Sequence, residues 1–254
     1  MLDPTVKNIA GYLNRTLRVG RIKDASLNGL QVSSRKSGAI GTVGFAVDAC
    51  MTTFERAKKL GVDLLVVHHG IRWKRQRDRA LVRTREAFLK KIDMALYAVH
   101  LPLDLHEKYG NNIQLAAFLG LESPRKFGRY HGVKIGYAGK LRRAQRLQAI
   151  SAVLSKHRLT ACRVLPFGKD RIRTIGIVSG GGGSMLPDAV QEGIDCFLVG
   201  EVDLALYNAA RDQNITVIAC GHYATETVGV RALMSVVSNA FPVKTVFVDD
   251  VKDL

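Results

Sequence analysis

Residues 42–69, TVGFAVDACMTTFERAKKLGVDLLVVHH, align without a gap on residues 174–201, TIGIVSGGGGSMLPDAVQEGIDCFLVGE, at a constant offset of 132. The alignment pairs Thr42 with Thr174, Gly44 with Gly176, Ala57 with Ala189, Gly61 with Gly193, Asp63 with Asp195 and Val67 with Val199. Each copy reads as a strand, a turn, a helix closed by glycine and a second strand apolar along its whole length. That is the pattern of a βαβ unit in a buried, largely parallel sheet. The chain is therefore expected to fold as two related α/β lobes, a first over residues 1–124 and a second over 125–254.

The repeat resumes at an offset of 122, where IDMALYAVHLPLD (92–104) lies over the segment that ends in GHYATE at residue 226. His100 then falls on His222 and Asp104 on Glu226. A helix is expected after each, over 111–119 and about 224–239, and KTVFVDD supplies a last strand. The amino-terminal stretch carries Val6, Ile9, Ala10, Leu13 and Leu17 at helical spacing. It reads as a packing helix with Asp3 as its N-cap and Pro4 at its first position.

Ligands of open α/β sheets bind beyond the carboxyl ends of the strands. Four polar clusters fall at such ends: His68 and His69 after DLLVV, His100 to Asp104 after ALYAV, Glu201 after FLV, and His222 to Glu226 after TVIAC. Imidazole with carboxylate is the donor set of a borderline divalent ion such as Zn²⁺, Mn²⁺ or Fe²⁺, and a shared carboxylate can bridge two ions about 3.5–4 Å apart. Neighbouring histidines on a strand point to opposite faces, so His68 and His69 share a site only if the strand ends there, as Gly70 allows. Burying this many ionisable groups without a metal or partner would be costly.

Charge is the other unusual feature. Lysine and arginine number 38 against 22 acids, a formal +16. Residues 71–91 carry nine basic and two acidic side chains, and residues 123–173 carry fourteen basic residues with Asp170 alone opposing them. Such concentration reads either as the footprint of a polyanionic partner, nucleotide or nucleic acid, or as two solvated faces. Arg142, Arg143 and Arg146, expected on a helix, are the candidate nucleic-acid contacts. Trp73, flanked by Arg72, Lys74 and Arg75, reads either as a stacking platform for a base or as a half-buried anchor. His106, His131 and His157 lie in polar stretches and read as surface residues. The glycine run 180–183 reads as a tight turn or as a loop lining the site, without the context of a P-loop.

No run of about 18 apolar residues occurs, and Asp3, Lys7 and Arg15 interrupt the amino end, so neither a membrane span nor a secretory leader is expected, and the expected location is the cytoplasm. Cysteines 50, 162, 196 and 220 form no C-x-x-C pair and read as reduced thiols.

SLNGLQV (26–32), DLLVVHHG (63–70), VHLPLD (99–104), SGGGGS (179–184), DCFLVGE (195–201) and GHYATE (221–226) together resemble the ordered motifs of the GTP cyclohydrolase 1 type 2 homologue family, also called NIF-three-like. The resemblance runs from about residue 5 to the end and implies the short form, without an inserted domain. It implies two α/β lobes with a dinuclear metal site between them, the segment from about 218 onward completing it, and assembly into a homohexamer. His68 and His69 resemble the paired ligands, one for each of two divalent ions. Asp104 resembles the carboxylate on one ion, His222 the ligand of the other and Glu226 the bridge. His100 and Glu201 match positions behind the ligands or against substrate. The activity implied is metal-dependent hydrolysis of a nucleotide such as GTP, the alternative being a nucleic-acid-binding or interaction protein with a structural metal. Two departures stand out: Gly70 where the family commonly has proline, and no acid directly before Asn28.

Overall fold

The computed structural model describes residues 1–160 and 163–250, which form two compact units, Met1–Leu103 with Val230–Asp250 and Asp104–Gly229. Each carries one mixed sheet, and the elements follow the expected mixed α/β order.

In the first unit, α1 (Val6–Thr16) leads into β1 (Gly29–Val32), β2 (Thr42–Asp48), α2 (Met51–Lys59), β3 (Leu64–His69), α3 (Arg79–Lys91) and β4 (Ala95–Ala98). The chain returns to this sheet late, with β11 (Lys244–Phe247), giving the order β1-β4-β3-β2-β11. All neighbours are parallel except the β1 edge. Leu64 to Val67 and Ala95 to Ala98 are fully buried, which is why these strands read as unbroken apolar runs. Phe54 and Ala57 on α2 pack with Leu65, Val67, Leu89 and Leu96 into one core. Thr5, rather than Asp3, caps α1: its hydroxyl accepts the Asn8 N–H at 3.1 Å. Pro4 therefore precedes the cap, because a hydroxyl two residues closer to the apolar stripe meets the open N–H groups better.

The second unit begins inside the turn α4 (Leu101–Asp104) and holds α5 (Asn111–Phe118), β5 (Glu122–Tyr130), β6 (Val133–Arg146), α6 (Leu147–Lys156), β7 (Arg163–Pro166), β8 (Arg171–Val178), α7 (Leu186–Gln191), β9 (Cys196–Val199), α8 (Leu204–Asp212) and β10 (Thr216–Ala219). The start of α9 (His222–Ala240) belongs to it as well. Its sheet order is β5-β6-β8-β9-β10-β7, with β8, β9 and β10 parallel and the flanking strands antiparallel. Ile175, Ile177, Leu198 and Ile218 form the core with Leu115, Ile150 and Leu154.

The repeat is visible in both units. β2-α2-β3 in one and β8-α7-β9 in the other each turn from helix to strand through a glycine at positive φ, Gly61 at 68° and Gly193 at 65°. That left-handed conformation costs a side-chain-bearing residue about 1 kcal/mol or more, which accounts for glycine at both places.

Arg142, Arg143 and Arg146 lie in β6, not on a helix; the helix starts one residue later, at Leu147. A register shift between Lys140 and Gln145 breaks the strand's alternation, so the spacing of the three arginines mimics a helical face. Cys50 and Cys196 are free thiols, whereas Cys220 is disulfide-bonded, which corrects the reading of reduced thiols throughout. Spacing in sequence does not report which sulfurs meet in space. Cys162 lies outside the described residues.

Candidate metal centre

In the first unit, β3 and β4 run parallel and deliver His68, His69 and His100 to adjacent strand ends. The ring centroid of His68 lies 4.7 Å from that of His69 and 5.0 Å from that of His100, and the His69–His100 separation is 5.5 Å. One ligand atom from each falls within 4.8 Å of the others.

Each ring is held through Nδ1. His68, fully buried, donates from Nδ1 to the Val99 carbonyl at 3.0 Å. His69 donates to Asp48 Oδ1 at 2.9 Å, and His100 to Asp24 Oδ1 at 3.0 Å. A carbonyl or carboxylate only accepts, so Nδ1 carries a proton in each ring, and the neutral form has its lone pair on Nε2. That is the tautomer a metal-binding histidine needs.

Asp24 and Asn28 brace this arrangement. Asp24 accepts from the Ser26 and Leu101 N–H groups and from the Asn28 amide, and Asn28 Oδ1 accepts the His100 N–H at 2.8 Å. Burial acts to raise the Asp24 pKa, but His100, Asn28 and the Ser26 N–H outweigh it and hold the carboxyl at about 2. The acid missing directly before Asn28 is supplied four residues earlier.

Gly70 has a packing reason: a Cβ there would sit 2.5 Å from the Gln31 amide and 2.6 Å from Ala98 Cβ. Gln31 in turn accepts the Ile71 and Arg72 N–H groups at 2.8 and 3.1 Å. Trp73 donates from its indole to the Gly70 carbonyl at 2.9 Å and meets His100 edge-on at 5.2 Å. It is half-buried, as an anchor would be.

In the second unit, His222 opens α9 at the end of β10, and Glu226 follows one turn on. His222 Nε2 lies 3.2 Å from Glu226 Oε1, and its Nδ1 donates to Glu201 Oε1. Burial alone would lower the His222 pKa; the carboxylates of Glu226 and Glu201 outweigh it and raise the imidazole to about 9. Asp104 and Glu226 are both buried. Asp104 Oδ1 accepts from the Asn111 amide at 2.8 Å and from the Ser179 hydroxyl at 3.3 Å.

The glycine run lines this cluster. A Cβ at Gly180, where φ is +62°, would stand 2.2 Å from Glu226 Oε1 and 2.9 Å from His222 Nε2. The Gly180 N–H donates to Thr225 Oγ1 at 3.0 Å, which fixes the loop against the helix that carries His222 and Glu226.

Four of the seven histidines thus share one arrangement, Nδ1 on an oxygen and Nε2 turned the other way, with Val99, Asp48, Asp24 and Glu201 as the anchors. Asp24, Asp48, Asn111 and Ser179 escape a reading of the sequence, since none stands at a ligand-like spacing. His131 and His157 are exposed, as expected, and His157 stacks on Phe118 at 3.9 Å. His106 is half-buried instead, because its ring stacks on Tyr109 at 5.0 Å. The arginines at 142, 143 and 146 belong to the long strand β6.

The family model for Duf34/NIF3 (NGG1p interacting factor 3) matches residues 4–253. The chain belongs to the Duf34/NIF3 family. It is 42% identical over 245 residues to a Pyrococcus horikoshii protein named GTP cyclohydrolase 1 type 2 homolog, covering 95% of this chain and 96% of that one. Among solved structures it is similar to TTHA1606 from Thermus thermophilus, with a TM-score of 0.87, 34% identity and 100% of both chains covered. It is also similar to protein ybgI, described as of unknown function, with a TM-score of 0.89, 29% identity and the same coverage. The Duf34/NIF3 fold therefore accounts for the whole described chain, and its histidines and acids form groups that could hold a metal ion. Among the described residues no helix is long and apolar enough to cross a membrane.

Proposed function

We propose that this Duf34/NIF3 protein is a dinuclear metal-dependent hydrolase of nucleotides. The observation that carries the reading is the anchoring of His68, His69 and His100 through Nδ1, because in the neutral ring it leaves Nε2 to an ion. His68, His69, Asp104, His222 and Glu226 are the proposed ligands of two divalent ions per subunit, Zn, Mn or Fe. His100 and Glu201 serve behind them or against substrate.

The donor set suits such ions, with imidazole nitrogens and buried carboxylates. The Nε2 proton that His222 shares with Glu226 is the one a cation would displace, while the Nδ1 bond to Glu201 keeps the ring in place. When bound, two cations supply a water of lowered pKa and Lewis acidity at the attacked carbon. The chain's own part is to hold the ligands, to shut water out around His68, Asp104 and Glu226, and to draw phosphates towards basic residues such as Arg72 and Lys74.

The name borne by the relatives points to opening of the GTP imidazole ring as the reaction to try first. A homohexamer in the cytoplasm is part of the same reading, and the assembly is checked by light scattering of the purified chain. The test of activity is a nucleotide panel that includes GTP. Turnover should vanish in chelator and return with Mn²⁺, Zn²⁺ or Fe²⁺. Bound metal without turnover of any nucleotide would remove the hydrolase and leave a metal-binding protein. A second reading, nucleic-acid binding with a structural metal, is favoured by the basic stretch 123–173.

A further inference from the structure

Arg146 and Arg171 face each other directly across the antiparallel ladder of β6 and β8. Like charges at facing positions of a ladder repel, and among the described residues neither forms an ion pair. Arg173 projects from the same face of β8, two residues on, with its guanidinium on the Arg142 carbonyl. Arg146 and Arg171 both line a cavity of about 450 Å³ together with Gln148, Lys169 and the single acid Asp170. Lys169 is held at the rim by Asp195, 2.6 Å from its Nζ, with most of its side chain in solvent. Helix α6 begins at this cavity, and no side chain caps it.

We propose that this cavity is a phosphoryl-binding site of the second unit. Two guanidinium groups offer paired N–H donors to phosphate oxygens, Lys169 adds a point charge, and the open N–H groups of the first turn of α6 add dipoles of the same sign. An anion seated between Arg146 and Arg171 offsets the cross-strand repulsion of two exposed guanidinium groups that solvent otherwise screens. The phosphoryl group can come from the phosphodiester of a polynucleotide or from a small phosphorylated molecule. The site shares no residue with the candidate metal ligands, and the two readings stand or fall separately.

The test uses the full chain and Arg171→Glu, which sets a carboxylate opposite Arg146 and turns a repelling pair into an attracting one, so the ladder should survive. Arg146→Gln, which removes a charge without adding one, is the second variant. The probes are inorganic pyrophosphate and a fluorescent single-stranded oligonucleotide of about 20 nucleotides, each titrated at roughly 50 mM salt, where phosphate contacts are weakly screened. The expected result is saturable binding of at least one probe, weakened about tenfold or more by Arg171→Glu and about threefold or more by Arg146→Gln, with metal content unchanged. Pyrophosphate bound as tightly as the oligonucleotide identifies a small ligand. A tighter oligonucleotide, whose log affinity falls with log salt at about −0.7 per phosphate contacted, identifies a polynucleotide. The proposal is overturned if the wild-type chain binds neither probe, if Arg171→Glu binds as well as wild type, or if Lys59→Glu, on α2 of the first unit and outside the cavity lining, weakens binding as much as Arg171→Glu does.

Discussion

Asp63 and Asp195, equivalent by the repeat, make the same bonds in the two units. Asp63 Oδ2 accepts the N–H groups of Gly41 and Thr42 at 2.9 and 3.0 Å, and Oδ1 takes the Lys36 ammonium. Asp195 Oδ2 accepts the N–H groups of Arg173 and Thr174, both at 2.9 Å, and Oδ1 takes Lys169 at 2.6 Å. In each case a carboxylate just before one strand pins its parallel neighbour, at the start of β2 in the first unit and two residues into β8 in the second.

These two acids set an acid limit on stability. Burial works to raise each pKa, but the lysine and the backbone N–H groups prevail, so both lie below their ordinary value when folded. Their contribution is therefore present above the unfolded value near pH 4 and is lost as pH falls through the folded value. Asp63→Asn and Asp195→Asn should each cost about 1–3 kcal/mol at pH 7 and flatten the acid side of a plot of Tm against pH. Lys36→Ala and Lys169→Ala, which remove exposed partners, should cost about 1 kcal/mol or less. A lysine variant that melted as low as its aspartate counterpart would show that the lysine, and not the backbone N–H groups, carries the contribution to stability.

Gly180→Ala should disturb the cluster on α9 more than the fold. The added methyl meets Glu226 and His222, and φ is +62°, so metal occupancy should drop sharply, with a stability loss of about 1–3 kcal/mol. Gly193→Ala has open space around it and should cost only the backbone strain, about 1 kcal/mol, with metal retained. Metal analysis of the two variants side by side separates these effects.

Gly70→Ala tests a different constraint. Its Cβ would overlap Ala98 and the Gln31 amide, and overpacking of this kind costs about 1–3 kcal/mol. Denaturant melting should show it; a neutral result would mean that the Gln31 loop yields without cost.

Asp48→Asn keeps the size of the His69 anchor but lets its amide nitrogen face Nδ1. If the carboxylate fixes the ligand tautomer, affinity for Zn²⁺ should fall about 10–100-fold with little change in Tm. Unchanged affinity would mean that His69 does not bind through Nε2.

The parallel centre of each sheet was readable from sequence, because strands such as Leu64 to Val67 and Cys196 to Val199 are buried on both faces and carry unbroken apolar runs. Strands β5 and β6 were hidden. Residues 122–125 of β5 are exposed, and β6 bulges between Lys140 and Gln145, so basic side chains and a broken period masked both. The histidines were readable from strand ends, although β3 runs through His68 and His69 instead of stopping before them, with their rings still 4.7 Å apart. Asp24 and Asp48 were not, because a lone acid acquires meaning only when folding brings an imidazole to it.

Metal stoichiometry is the deciding quantity. The purified chain, analysed by inductively coupled plasma mass spectrometry, should carry close to two divalent ions per subunit. The double variant His68→Ala with Glu226→Ala should lose most of them, and His157→Ala, at a ring that stacks on Phe118, should lose none. Full occupancy in the double variant would contradict the assignment of the site.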